Sequence, residues 1–213
     1  MRNIVLDFDG TLGDTQKLIV STLQDTMRAM SLPVKGEAEC AATIGLRLDE
    51  AFCQLFGLSQ EAGMKCAESY RKLFFRNQKV LTVTPFPHVV ETLRQLHADG
   101  YVLAVASSRG RDSLLSYLRQ LQIAPCIRVV VASEDVAHAK PAPDMVLKAV
   151  DQMGGTVSET LVVGDMTYDV DMAHHAGAMA CAVTYGNGTR SQLAAADFLI
   201  DDFAALVDVV KKL

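Results

Sequence analysis

Ile4-Val5-Leu6-Asp7-Phe8-Asp9-Gly10-Thr11-Leu12 sets two carboxylates two residues apart, directly after an apolar run and directly before a glycine. A parallel strand buried on both faces reads as a continuous apolar run, and the polar groups that meet a ligand stand at its carboxyl end. The stretch therefore predicts a first strand, Asn3 to Asp7, with Asp7 and Asp9 where chemistry is done. Period-two alternation sends both acids to one side and Phe8 to the other if the strand continues. Carboxylates this close repel unless a cation or a shared proton compensates. Mg²⁺, a hard cation that takes oxygen ligands, is the expected compensation.

Working outward, five more apolar runs read as strands: Val102 to Ser107, Arg128 to Ala132, Leu161 to Gly164, Ala180 to Thr184 and Phe198 to Ile200. Between them lie stretches of helical spacing, such as Leu114, Leu118 and Leu121, or Val146, Ala149, Val150 and Met153. Alternating strand and helix predicts an α/β fold with a doubly wound, Rossmann-like parallel sheet. Fold precedent suggests the order 3-2-1-4-5-6, which sets the first, second and fourth strands side by side.

One interval breaks the alternation. From about Asp14 to Val80 the pattern is helical only, with stripes at Ile19, Leu23, Met27 and Met30 and at Leu48, Phe52, Leu55 and Phe56, and a third helix from about Ser59 to Asn77. About 65 residues exceed an ordinary connection and predict a separate lobe. The expected division is a catalytic core of residues 1–13 and 83–213 and a helical cap of residues 14–82. Asp14 is expected to cap the lobe's first helix.

Composition excludes several classes. The 213 residues carry a net charge of −5 with no Lys/Arg-rich stretch, so no nucleic-acid partner is expected. Mean hydropathy is +0.19, yet no apolar run approaches the ~20 residues of a membrane span. Met1-Arg2-Asn3 leads straight into the strand, leaving no room for a signal peptide. Five cysteines without a close pair read as reduced thiols, so a cytoplasmic protein is expected, monomer or homodimer.

Four further features fall at strand ends or in the loops beyond them. Ser107-Ser108 ends the second strand and offers hydroxyls and free N–H groups to an anion. Lys140 stands in a loop stiffened by Pro141 and Pro143. Gly164-Asp165 ends the fourth strand, and Asp169 follows four residues on. Converged, these groups supply acids for a metal, a cation and hydroxyls for a phosphate, and one acid left for attack, the set that phosphoryl transfer needs. Arg47, beyond Gly45 in a lobe loop, is a candidate for a substrate carboxylate or second phosphate. His174-His175 is not a metal pair, because neighbours on a helix point about 100° apart.

Taken in order, Asp7-Phe8-Asp9-Gly10-Thr11-Leu12, Ser107, Lys140-Pro141 and Gly164-Asp165 with Asp169 resemble the haloacid dehalogenase superfamily across essentially the whole chain. The helical insertion looks like that family's C1-type cap. Thr43-Ile44-Gly45-Leu46-Arg47-Leu48 and Pro85-Phe86-Pro87 look most like its phosphoglycolate phosphatase-type members. The resemblance implies a Mg²⁺-dependent phosphatase acting on a small phosphorylated metabolite. In that scheme Asp7 is the nucleophile that forms an aspartyl phosphate, and Asp9 is the general acid and then base. Mg²⁺ is held by the Asp7 and Asp165 carboxylates and the Asp9 backbone carbonyl, with Asp169 as a water-mediated ligand or support. Ser107 with Ser108, and Lys140, hold the phosphoryl oxygens, and Lys140 also tethers the acids.

Two departures from the family pattern stand out: Met166, where Thr or Ser is usual, and Gly13, which is expected to loosen the hinge of the cap. A phosphomutase of the β-phosphoglucomutase type and a pyrophosphatase use the same scaffold and stay open. A dehalogenase has no need of the metal acids or of Asp9. A signalling receiver places its acceptor on a middle strand, and a silent binding protein has no use for the acids.

Overall fold

The computed structural model describes residues 2–213. Strand β1, Asn3–Leu6, lies at the centre of a six-stranded parallel sheet. On one side it pairs with β2, Val102–Ala106, and beyond that β3, Ile127–Val131. On the other it pairs with β4, Thr160–Gly164, followed by β5, Met179–Val183, and β6, Phe198–Ile200. The order is thus 3-2-1-4-5-6, as expected, and chain direction across the sheet reverses beside β1. Leu6 is level with Val105 and Val163, so the residues that follow all three strands emerge at one end of the sheet. That register is what brings Asp7, Ser107 and Asp165 together.

Alternation along each strand builds two apolar layers. Ile4, Leu6, Leu103, Val105, Leu161 and Val163 face one side, and pack with Val89, Leu93 and Leu96 of α5 (Val89–Ala98), Leu114 and Leu118 of α6 (Arg111–Gln120), and Leu206, Val209 and Val210 of α9 (Leu206–Lys211). Val5, Ala104, Ala106, Val162, Ala180 and Ala182 face the other, beneath α7 (Asp144–Met153) and α8 (Thr167–Ala176). All the central strands are buried on both faces, which is why they read as unbroken apolar runs.

A two-residue antiparallel ribbon, Gly13–Asp14 with Thr84–Pro85, joins the sheet to α1 (Gln16–Ala29), α2 (Glu37–Ala41), α3 (Leu48–Phe56) and α4 (Gln60–Asn77). Helix α4 packs against both α1 and α3. Phe52, Tyr70 and Phe74 from these helices belong to the same apolar cluster as Leu6 and Phe8 of the core.

Two local expectations are corrected, on the buried stripe of α1 and on Asp14, and a short helix is added to the lobe. Helix α2 carries no periodicity because it is only five residues long; Glu39 folds back to accept the Gly36 N–H at 3.0 Å. The buried stripe of α1 is rotated from the expected one: Leu18, Thr22, Leu23, Thr26 and Met27 are covered, whereas Ile19 is half-buried and Met30 exposed. Threonine qualifies for the interior there because Thr22 and Thr26 each donate a hydroxyl bond to the carbonyl four residues back, at 2.7 Å. Asp14 is exposed in the ribbon, and Thr15 occupies the cap position without a side-chain cap bond. At Gly13 a Cβ would meet the Phe8 ring at 3.0 Å and Val83 at 3.4 Å, so the glycine leaves room for that ring.

Among the described residues no helix is long and apolar enough to cross a membrane. All five cysteines carry free thiols.

Candidate active site

The carboxyl end of β1 delivers Asp7, whose N–H donates to the Val163 carbonyl at 2.8 Å and whose side chain is 4% exposed. Lys140 is fully buried rather than a solvated loop lysine. Its ammonium bonds Asp7 Oδ1 and, at 2.8 Å, Asp169 Oδ1. Asp169 uses its other oxygen to accept the N–H groups of Asp165 at 3.2 Å and Met166 at 3.1 Å, capping α8 while it holds the lysine. Asp165 accepts Thr11 Oγ1 at 3.2 Å on Oδ1, and on Oδ2 the Asn187 backbone and side-chain N–H groups at 2.6 and 2.7 Å.

Two glycines make room for this packing. Gly10 adopts φ +91°, and a Cβ there would lie 2.1 Å from Asp165 Oδ2. A Cβ on Gly164 would lie 2.3 Å from the Asp169 side chain.

One oxygen each from Asp7, Asp165 and Asp169 lie within 4.8 Å of one another. Burial, reinforced by Asp169, pushes the Asp165 carboxyl from its ordinary 3.8 up to about 7. Burial likewise raises Asp7 well above the usual carboxylate range, against the pull of Lys140 and with help from the neighbouring acids. One ammonium among three buried carboxylates leaves two negative charges unmatched. An all-oxygen donor set with that deficit fits a hard divalent cation such as Mg²⁺.

Asp9 lies outside this cluster and pairs with a residue that the sequence reading passed over. Arg109 donates Nη2 to Asp9 Oδ1 at 2.5 Å and Nε to Oδ2 at 3.2 Å, and Nη1 to Ser113 Oγ at 2.9 Å. Its guanidinium sits over the rings of Phe8, Phe74 and Tyr117 at 5.7, 5.1 and 5.0 Å. Burial alone would lower the Arg109 pKa, but the Asp9 carboxylate outweighs it and keeps the guanidinium charged. Asn187 and Thr11, the partners of Asp165, were also passed over. Their signal was position: Tyr185-Gly186-Asn187-Gly188 follows the fifth strand, at the same end of the sheet as the acids.

Ser107 is buried, and its Oγ accepts the Arg109 N–H at 3.3 Å, leaving its own proton free to donate. Ser108 turns elsewhere: its hydroxyl donates to the Gly45 carbonyl at 2.6 Å, so the donor expected for an anion instead ties down the loop between α2 and α3. Tyr168 adds a bond to the Ala42 carbonyl at 3.1 Å, and Arg47 one to the Ala137 carbonyl at 3.5 Å. Arg47 also lies 3.6 Å from Asp49. Met166, beside Asp165, lies against the same loop, 3.8 Å from where a Gly45 Cβ would stand. His174 pairs with Asp197 and His175 with the Pro141 carbonyl, so the two histidines diverge as expected.

Asp7, Asp9, Ser107 and Arg47 all line one cavity of about 780 Å³ between the end of the sheet and helices α1, α3 and α4.

Comparison with known proteins agrees with this architecture. Residues 4–183 match the family described as haloacid dehalogenase-like hydrolase. The "Probable phosphatase IndB" of Dickeya dadantii is 37% identical over 211 residues, covering 96% of this chain and 91% of that protein. A phosphoglycolate phosphatase of Salmonella paratyphi A is 27% identical, covering 97% of this chain and 91% of its own. A haloacid dehalogenase-like hydrolase from Bacteroides fragilis superposes with a TM-score of 0.86 at 28% identity, over 96% of this chain and 99% of that one. With a buried aspartate at the end of the central strand, its lysine and further acids beside it, and a match spanning most of its length, the chain belongs to the haloacid dehalogenase-like hydrolases.

Proposed function

We propose that this chain is a Mg²⁺-dependent phosphatase that cleaves a phosphomonoester through an aspartyl phosphate on Asp7. The observation that carries the reading is the buried Asp7–Lys140–Asp169 network with Asp165 beside it, whose Asp7 lines the cavity together with Asp9. Lys140 engages Asp7 Oδ1, which leaves Oδ2 to attack phosphorus. As the Oδ2–P bond forms, the ester P–O bond breaks, and Asp9, which must first exchange one of its Arg109 bonds for a proton from solvent, gives that proton to the leaving oxygen. Asp9 then takes a proton from water as the water oxygen attacks phosphorus. The Asp7–phosphorus bond breaks, and inorganic phosphate and the free carboxylate are regenerated.

Ser107 donates its free hydroxyl proton to a phosphoryl oxygen, and Lys140 supplies positive charge beside it. The Asp7 and Asp165 carboxylates and the Asp9 carbonyl would hold Mg²⁺, with Asp169 fixing the turn behind them. When bound, the ion neutralises the charge gathering on the phosphoryl oxygens. Residues 14–82 serve as the cap over a core of residues 1–13 and 83–213, excluding bulk water from the phosphoenzyme.

Phosphate release from a panel of phosphomonoesters, with Mg²⁺ or EDTA and beside Asp7→Asn, tests this. Metal-dependent release that disappears in the variant is the expected result. Release that persists in Asp7→Asn overturns the role of Asp7, and no release from any ester overturns the phosphatase.

A further inference from the structure

Resting on the phosphatase reading, we infer that the leaving group of the substrate is an uncharged, ring-bearing alcohol or phenol whose ring lies against Phe75, and not a small second anion. The first observation is size. The cavity, open to solvent on one side, measures about 780 Å³, within the range of pockets that take drug-sized ligands. Phosphoglycolate and pyrophosphate each have fewer than about ten non-hydrogen atoms and would leave most of that space wet, whereas cavities in this range take ligands of ring size or larger. This is not the gap of a raised lobe: the loop from Ala42 to Arg47 is already bonded to the core through Ser108, Tyr168 and Ala137.

The second observation is charge. A carboxylate or second phosphate needs a cation that is free to meet it, and the arginines lining the cavity are nearly all engaged. Arg109 holds Asp9, Arg111 bonds Asp135 and the Val130 carbonyl, and Arg47 lies between Asp49 and the Ala137 carbonyl. Beneath them Lys140 is shared by Asp7 and Asp169. An anionic leaving group would have to draw one of these cations away and strand a protein carboxylate. Arg71, and Lys79 over the Phe75 ring, make no ion pair among the described residues, but both are exposed to water, where a charge is screened.

The third observation is the character of the wall. Ile19, Leu23, Ile44, Tyr70 and Phe74 give it an apolar side, and Gln78, Ser116 and Ser133 add neutral hydrogen-bonding groups beside the acidic Asp112 and Glu134. Phe75 lines the same cavity and is 64% exposed, with Lys79 Nζ 4.8 Å from the centroid over one face of its ring. The remainder of a phenylalanine left in water at the mouth of a reaction site is a stacking face for a planar group. Neutral amides and hydroxyls suit the carbonyls and hydroxyls of such a ring system, with no charge to match.

The test compares kcat/KM of the Mg²⁺-loaded protein on phenyl phosphate, pyridoxal 5′-phosphate and uridine 5′-monophosphate with that on phosphoglycolate and pyrophosphate. At least one ring-bearing ester should exceed both small anions by about tenfold or more. Phe75→Ala should cut that selectivity ratio by about fivefold, mainly through KM, and Phe75→Trp should keep it. Because Phe75 is exposed, both variants should retain the parent's melting temperature, which is measured alongside. Equal or better turnover of phosphoglycolate or pyrophosphate overturns the inference while leaving the phosphatase intact. A ratio that Phe75→Ala does not move overturns the stacking role. Turnover of none of the five would instead remove the phosphatase reading on which the inference stands.

Discussion

Three buried ion pairs around two cations set the chemistry at the scale of single residues, and the cations differ in what their loss would do. Lys140 bridges Asp7 and Asp169 at once. Lys140→Ala would strand two fully buried carboxylates, a change that typically costs 3–5 kcal/mol, about the margin of a domain's stability. The expected outcome is a large drop in melting temperature that added Mg²⁺ partly restores, read by thermal unfolding with and without the metal. An unchanged melting temperature would mean that the pair contributes nothing to the fold. Arg109 acts on Asp9 alone, from a cage of three rings. Arg109→Gln frees the Asp9 carboxylate to rotate, and kcat is expected to fall by about tenfold or more, since misplacing an acid–base group by an ångström has effects of that order. Arg109→Lys should recover part of it. Steady-state kinetics on one ester for the three proteins decide the matter, and equal kcat values would reduce Arg109 to a packing residue.

Among elements, the turn after β1 and the loop between α2 and α3 carry the precision of the site. Gly10 is irreplaceable for two reasons at once, its positive φ and the 2.1 Å approach that a Cβ would make to Asp165. Gly10→Ala is therefore expected to displace Asp165 and to weaken Mg²⁺ binding by about tenfold or more, measured by calorimetric titration of the purified variant. Wild-type affinity in that variant would show that the turn yields without moving the acid. The loop is fastened by only a few hydrogen bonds, of which Tyr168 to Ala42 is simple to remove. An exposed bond of that kind is worth about 1 kcal/mol or less, so Tyr168→Phe should lower the melting temperature by no more than about 2–4 °C, read by thermal unfolding.

For the whole molecule, pH and metal are linked through the acids at the end of the sheet. Asp165 holds its proton up to about pH 7 in the folded, metal-free chain, against 3.8 ordinarily. A carboxyl whose folded pKa is raised binds a proton that the unfolded chain has already lost, so metal-free stability should fall as pH rises from about 4 to about 7. His88, raised by its bond to Asp202, acts in the same direction, because its contribution is full below the ordinary 6.5 and fades above its folded value. Mg²⁺ replaces the proton, so the rise in melting temperature that it produces should be larger at about pH 8 than at about pH 5. Thermal scans at the two pH values test the sign directly. A smaller gain at the higher pH would show that the three acids are not where the metal binds.

The fold was legible in the residues because burial on both faces writes itself as apolar runs, and a helix between such runs leaves few topologies to choose from. Asp7, Asp9, Ser107, Lys140, Asp165 and Asp169 were legible for a related reason: each follows a strand or the loop beyond it, and strand ends in a parallel sheet converge. What chain order does not encode is which side chains meet across it. Arg109 is adjacent to two site serines in sequence, yet its bonds to Asp9 span 100 positions, and those of Asn187 to Asp165 depend on where β5 ends. Ser108 reads as a phosphate donor until the lobe folds back and offers it the Gly45 carbonyl. The size and lining of the cavity are likewise properties of the assembled lobe, because a cation's availability depends on which carboxylates surround it. By itself the sequence determined the strands of the sheet and the acids at its edge, through local burial pattern and position, while their order came from fold precedent. Only the tertiary structure decided how those acids are paired and what shape and charge remain for a substrate, because both are set by contacts between residues far apart in the chain.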